Sequence, residues 1–463
     1  MKNILNKNSC CDVEMTGLNA DGCGIGTLRG LPVIVAGGLP GETLEIKAIK
    51  VTETHVVGKL LKILRASPER ARPFCPAFGR CGGCRLQHLR YDAQLAWKTG
   101  QLREELARAG GFAQTTLRET LGMAQPLHFR NKAIYPVGMG KGGAALGFYA
   151  AHSHDIIEHD ACPAQFDEIN RIRRVIKAWI LAHDISVYDE RRHAGLLRHV
   201  LIRVGAASGE AMVVVVVNGA DLPRRAALID ALTAAVPRVT SIMLNENRAV
   251  TNVILGENTT LLCGAPQIRD RLGGATFAIS PRSFYQVNPA QTETLYAKAI
   301  EYAELTGKET VFDLYSGIGA LAICMSPRAR QVYGVEIVED AVRDAIDNAR
   351  LNGCKQIEFL PGATEAVLPD LAAQGLRTDV VALDPPRKGC DPAALDALVG
   401  MSPQRIVYIS CNPSSMLRDL KFLAARGFAT VEIQPVDMFP HTPHVECVAK
   451  IVKANSPQAS LMS

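Results

Sequence analysis

A chain of 463 residues with 48% hydrophobic residues, 21% charged residues and a net charge of +5 has the make-up of a soluble globular protein with room for about two to four domains. No run approaches the roughly 18 apolar residues a membrane helix needs, and the opening MKNILNKNSCC lacks the apolar core of an export signal, so a cytoplasmic protein is expected. Its 13 cysteines, an odd number in a chain without such a signal, argue against a disulfide framework and leave reduced, metal-bound or catalytic thiols.

Short apolar runs broken by glycine-rich turns fill residues 13–62 (GCGIGTL, LPVIVAGGLPGETLEIKAI, HVVGKLLKIL), the spacing of a small all-β barrel. Lys47, Lys50, Lys59 and Lys62 on its strands suit nucleic acid, or simply form a solvated charged face. From Arg65 to Arg90 the composition turns to Arg, Pro, Cys and Gly. Tyr91 to Gly110 then has helical spacing and ends on Gly110-Gly111.

Residues 127–280 read as α+β, with strands at 197–204 and 211–217 and helices at 166–182 and 222–235. Within them LHFRNKAIYP combines Arg130 and Lys132 with Phe129 and Tyr135, which is either an RNA-contacting segment or a strand with two charges outward. From 281 onward strands and helices alternate, with strands at 310–314, 331–335, 357–360, 380–383 and 406–409. That regularity predicts a doubly wound, Rossmann-like parallel sheet. The tail after Lys453 reads as disordered.

In TVFDLYSGIGALAICMS, Gly317-x-Gly319-x-x-Ala322 fits the dinucleotide-fold fingerprint, and Glu336 ends the next strand 19 residues beyond Gly317, where an acid can take both ribose hydroxyls of an adenosine. Asp313, four residues before Gly317, would repel a pyrophosphate but can face a positive amino or sulfonium group, which favours S-adenosylmethionine over NAD. Asp384-Pro385-Pro386-Arg387 ends the fourth strand. An arginine where exocyclic-amine methyltransferases carry an aromatic residue argues against that chemistry.

Cys411 follows the next strand, so Cys411 and Asp384 both stand at strand C-termini, where open α/β sheets bind ligands. A thiolate beside a methyl donor can add to carbon 6 of a pyrimidine and make carbon 5 nucleophilic. A base must then take the carbon 5 proton, and Glu446, at the start of the final strand, can do so. His441 and His444 are alternatives better read as structural, and Cys390 is a rival thiol ranked below Cys411. Cys263, Cys324 and Cys354 read as small core residues.

Residues 280–450 resemble the RNA uracil-5-methyltransferases in SFYQVNPAQTETLY, FDLYSGIGAL, GVE, DPPRKGC, ISCNP and HVECV. The resemblance implies Cys411 as nucleophile, Glu446 as general base, and Gln286, Tyr315, Glu336 and Asp384 as contacts to S-adenosylmethionine. Phe284 and Tyr285 otherwise read as core aromatics. Residues 10–62 are similar to a TRAM domain, an RNA-binding OB-like barrel. CPAFGRCGGCRLQH holds Cys75-x5-Cys81-x2-Cys84, and HDACP supplies Cys162. On spacing alone a four-thiolate zinc site competes with iron–sulfur; the resemblance implies a structural 4Fe–4S cluster.

The expected organisation is thus a TRAM barrel at 1–62, a central α+β iron–sulfur and RNA-recognition domain at 63–280, whose helix 91–110 packs on the methyltransferase domain, that domain at 281–453, and a tail at 454–463. Barrel and cluster together favour 23S rRNA, free or partly assembled, as the partner of a monomeric enzyme. A tRNA T-loop uridine is the in-family alternative. A non-catalytic RNA-binding Fe–S protein and a NAD-dependent oxidoreductase are the readings from other classes.

Overall fold

Five strands open the chain: Cys10–Leu18, Gly24–Leu28, Leu31–Val35, Thr43–Val51 and Val56–Arg65. They close into a barrel in the order first, second, third, fifth, fourth. The computed structural model of the protein describes residues 6–140 and 142–454, so the disordered tail expected after Lys453 lies, from residue 455 on, outside the described residues. Strict alternation closes the barrel: Val13, Met15, Leu44, Ile46, Ala48 and Val56 point inward and share one small core. Lys47 lies directly opposite Lys59, a like-charge cross-strand pair that is unfavourable by itself.

Helix Tyr91–Ala109 follows and ends at Gly110, whose φ of 68° lies in the left-handed region. Its Leu102 and Leu106 share a core with Phe312, Leu383, Ile406 and Tyr408 of the C-terminal sheet. Lys98, with a fully buried side chain, donates to Asp437 Oδ1 at 2.5 Å, and Asp437 also accepts from Tyr91 at 2.7 Å. Buried pairs of this kind are costly to break and hold the helix in one register. Thr116–Leu117 then joins the C-terminal sheet as its edge strand.

The central region carries a six-stranded sheet in the order Asn258–Gly264, Val239–Glu246, Ala211–Val217, Leu197–Val204, Lys132–Gly140, Gly143–Leu146. Helices Asp167–Ala182 and Arg225–Ala235 cover one face. The other face gives Leu201, Met212, Val214 and Met243 to a core shared with Val311, Ala322 and Val407. Every residue of Ala211–Val217 is therefore buried, which explains its unbroken apolar run.

The eight-stranded C-terminal sheet runs Ile357–Pro361, Gln331–Glu336, Thr310–Leu314, Val380–Leu383, Arg405–Ser410, Glu446–Lys453, Phe428–Val436, Thr116–Leu117. The first five strands are parallel. The Glu446–Lys453 strand is antiparallel to Arg405–Ser410, with Ser410 opposite Cys447. The sheet order reverses between Thr310–Leu314 and Val380–Leu383, and a crevice opens beyond their C-terminal ends. Among the described residues no helix is long and apolar enough to cross a membrane.

Candidate active site

The crevice takes its shape from a tight turn. Tyr315, Gly317 and Gly319 have φ of 65°, 55° and 78°. A Cβ on Gly319 would stand 2.5 Å from Phe359 Cζ, so this position needs glycine for space as well as for φ. Tyr315 has no such freedom, and its left-handed backbone is a strained position held by the surrounding turn. Glu336 braces that turn: one carboxylate oxygen accepts from Gly317 N at 3.0 Å and the other from Val338 N at 2.8 Å.

Gln286, Asp313, Tyr315, Gly317 and Asp384 line the crevice together, with Phe284 at its mouth. Glu336 does not line it and reaches it through Gly317. Asp313 is buried and accepts from Ala322 N at 3.0 Å, so one of its oxygens caps the helix after the turn. Burial, then Asp384, pushes its carboxyl up to about 8. The segment that delivers Gln286 is fixed from the central region: Arg203 donates to Ser283 O at 2.8 Å and Asn131 to Gln286 O at 3.1 Å. Tyr285 is buried with its hydroxyl toward Asp270, whereas Phe284 is 65% exposed. The two aromatics thus separate, one into the core and one onto the crevice. Sequence reasoning missed Ser316, whose buried hydroxyl has no partner beside the crevice. Its only signal was its place between Tyr315 and Gly317.

Cys411 and Glu446 come together through strand pairing. Ser410 lies opposite Cys447, so the residue after one strand meets the residue that opens its antiparallel neighbour. Glu446 is buried, and its Oε2 has no hydrogen-bond partner. Burial, then Asp384, raises its carboxyl, against the pull of Arg387. Burial likewise raises Asp384. The Cys411 thiol is raised by burial, then by Glu446 and Asp384, and lowered by the Arg387 guanidinium within hydrogen-bonding reach. Two buried acids, Asp313 and Glu446, and the half-buried Asp384 therefore crowd the site against the nearby Arg387.

Cys411 opens onto a cavity of about 310 Å³ built from three parts of the chain. Ala20 comes from a barrel loop, Trp97 and Gln101 from the helix, and Arg387, Asn412 and His444 from loops of the C-terminal sheet. Cys390 is buried elsewhere, its sulfur 3.8 Å from Tyr408 Oη. His441 is buried with one ring nitrogen at 3.1 Å from Pro126 O and the other at 3.2 Å from Gln94, a structural placement.

Cys75, Cys81, Cys84 and Cys162 line a second cavity, of about 360 Å³. Burial pushes the Cys84 and Cys162 thiols up to about 11 and about 12. Among the described residues no group of three or more His, Cys, Asp or Glu side chains is drawn together as a metal-holding set. The cavity brings the four expected cysteines together without closing them into such a set.

The expectation that LHFRNKAIYP presents aromatics to RNA is overturned. Phe129 and Tyr135 are 4% and 1% exposed, and the Tyr135 hydroxyl is bonded to Gln165. Arg130 and Lys132 line the cysteine cavity instead. Burial, then Arg203 and Arg130, pushes the Lys132 ammonium down to about 8.

Residues 267–454 match the tRNA (uracil-5-)-methyltransferase family. An uncharacterised RNA methyltransferase of Halalkalibacterium halodurans is 46% identical over 451 residues, covering 97% of this chain and 98% of its own. One of Bacillus cereus is 46% identical over 443 residues, covering 96% and 97%. The crystal structure of the Pyrococcus abyssi tRNA (uracil-54, C5)-methyltransferase in complex with S-adenosyl-L-homocysteine superposes with a TM-score of 0.78 at 30% identity, over 95% of this chain and 99% of that one. The same architecture, matched from end to end, carries the crevice and the Cys411–Glu446 pair described above, and the chain belongs to the RNA uracil-5-methyltransferase family.

Proposed function

We propose that the protein transfers a methyl group from S-adenosylmethionine to carbon 5 of a uridine in 23S rRNA, by way of a covalent Cys411 adduct. The observation that carries the reading is the juxtaposition of Cys411 and Glu446 at the end of two paired strands, beside an acid-lined crevice. An acid-rich crevice with an unpartnered Ser316 hydroxyl suits a cationic ligand with donors and acceptors of its own. S-adenosylmethionine, when bound, supplies an electrophilic methyl on a sulfonium.

Cys411 gives up its proton to solvent, and its sulfur bonds to carbon 6 of the uracil while the ring π electrons shift to the enolate. Carbon 5 then takes the methyl group, whose bond to the sulfonium sulfur breaks with its electrons staying on that sulfur, so that S-adenosylhomocysteine leaves. Glu446 removes the proton left on carbon 5, and those electrons re-form the double bond and expel the thiolate. Arg387 favours the thiolate, whereas ionised Glu446 and Asp384 oppose it. Addition is therefore easiest while Glu446 still carries a proton, which it must lose before it can act as base.

A uridine in folded RNA must leave its stack, at a cost of about a few kcal/mol. The three-part cavity around Cys411 offers walls to receive it, and the barrel offers Lys50, Lys59 and Lys62 for the RNA backbone. The enzyme acts as a cytoplasmic monomer on free or partly assembled rRNA. Cys75, Cys81, Cys84 and Cys162 would hold a 4Fe–4S cluster, a structural tie between the Pro-rich segment after the barrel and the central sheet.

One observation favours a second substrate. The Pyrococcus relative that aligns over 99% of its length is named for tRNA, so a long chain with these parts does not by itself select rRNA. Both readings share one test. Total cellular RNA substituted with 5-fluorouracil is incubated with the protein and S-adenosylmethionine. Fluorine cannot leave carbon 5 as a proton, so an SDS-resistant protein–RNA band is expected. A 23S fragment in that band supports the first reading and tRNA the second. No band, with cofactor bound and RNA intact, refutes the covalent mechanism.

A further inference from the structure

The cysteine cavity contains more than thiols. Arg130 and Lys132 both line it, and neither forms an ion pair with an acid among the described residues. Among the described residues no Asp or Glu lines the cavity, and its remaining wall is largely apolar, with Phe78, Phe129, Ile134 and Phe148. Arg203, which also disfavours the charge on Lys132, is positive as well. His159 adds a partly buried imidazole to the lining. A partly buried pair of like charges without a counter-ion is unfavourable, and in native proteins buried charges are paired or bind ions. Arg130, Lys132 and Ile134 face the cavity, as do Phe129 and Ala133, while Tyr135 and Val137 enter the core beneath the helices.

We propose that Arg130 and Lys132 are the counter-cations of an anionic, thiolate-ligated centre in this cavity, and that they set its reduction potential. The proposal rests on the cluster reading given above. Four thiolates around a 4Fe–4S core in its oxidised state leave two negative charges, which two cations match; one-electron reduction adds a third. The cations favour the more negative state, so they raise the potential and make the oxidised centre less costly to hold in an apolar wall.

The full-length protein is purified anaerobically and assayed for iron, acid-labile sulfide and zinc, then titrated with electron paramagnetic resonance detection. Wild type is compared with Lys132→Met, Lys132→Arg and Arg130→Met. With iron and sulfide present, the two methionine variants are expected to shift the midpoint to more negative values, and Lys132→Arg to restore it. An unchanged midpoint in variants that keep their iron overturns the counter-cation role and leaves the cluster reading standing. Unchanged midpoints with weaker RNA binding return both residues to RNA contact. Should the variants lose iron, Lys132→Arg must regain it where Lys132→Met does not; equal loss in both refutes a charge effect. A centre of zinc without sulfide, or no metal at all, refutes the cluster reading and the proposal with it.

Discussion

The crevice below Cys411 and the cavity of the four cysteines are opposites in charge. The first holds Asp313 and Asp384 in its lining, with Glu446 close enough to feel Asp384, and Arg387 opposing their charge. The second gathers Arg130 and Lys132 with no acid in its lining among the described residues. Other buried charges are compensated in different ways: Lys98 meets Asp437, Arg70 meets Glu42, Arg173 meets Glu158 and three backbone carbonyls, and Arg198 and Arg203, without an acid partner among the described residues, donate to backbone carbonyls. The two clusters lie where a ligand of opposite sign is proposed, a sulfonium in one and a thiolate-bound centre in the other.

The strongest way to break the comparison is at the nucleophile. Cys411→Ser keeps the size of the side chain and is expected to reduce single-turnover methyl transfer by about 10³-fold or more, with no trapped band and with S-adenosylhomocysteine binding intact. Cys390→Ser, at the buried thiol, should leave transfer within a few-fold of wild type. Glu446→Gln comes next. Loss of a general base typically costs about 10²–10⁴-fold, and here the loss is expected after methyl transfer. An SDS-resistant complex should therefore accumulate with ordinary, unfluorinated RNA. Turnover slowed without such a complex would move the proton-removing role away from Glu446.

The electrostatic half of the comparison is tested by pH. Burial raises Asp313 to about 8 from an ordinary value near 4. The folded protein without ligand therefore holds a proton that the unfolded chain has lost. This group's contribution to stability is present below about pH 4 and fades as the pH rises toward 8. A cationic ligand reverses the preference and expels the proton. S-adenosylmethionine affinity is expected to rise between pH 6 and 8, by up to about tenfold per unit for one proton released. S-adenosylhomocysteine, without the sulfonium charge, should show a shallower slope, and Asp384→Asn should flatten both. Calorimetry in two buffers of different ionisation enthalpy counts the protons directly; equal slopes for the two ligands would show that the acids do not face the sulfonium.

Much of the C-terminal region was legible because parallel strands buried on both faces read as apolar runs with abrupt polar ends. The strand at 380–383 and the place of Cys411 at the end of its neighbour followed from that. The meeting of Cys411 with Glu446 was not local: it depends on the antiparallel pairing of two strands separated by the whole of 411–445. LHFRNKAIYP was misread for a related reason. Alternation divides Arg130 and Lys132 from Tyr135, but it does not say which face meets solvent, and here both are covered. Thr116–Leu117 is too short to carry a pattern, so its place at the edge of the distant sheet had no signal in the chain.

The smallest expected effect falls on Ser316. Its hydroxyl is buried, lacks any partner and sits between the turn residues of the crevice. An unsatisfied buried hydroxyl stabilises nothing, so Ser316→Ala should leave the thermal midpoint of the ligand-free protein unchanged or slightly higher. A bound cofactor that satisfies the hydroxyl would make the same substitution cost about 1 kcal/mol of affinity, roughly fivefold in Kd. The two measurements together separate a packing serine from a ligand-facing one. A lowered melting temperature with unchanged affinity would mean that the hydroxyl serves the turn, and the crevice would then hold its ligand through Gln286 and the acids alone.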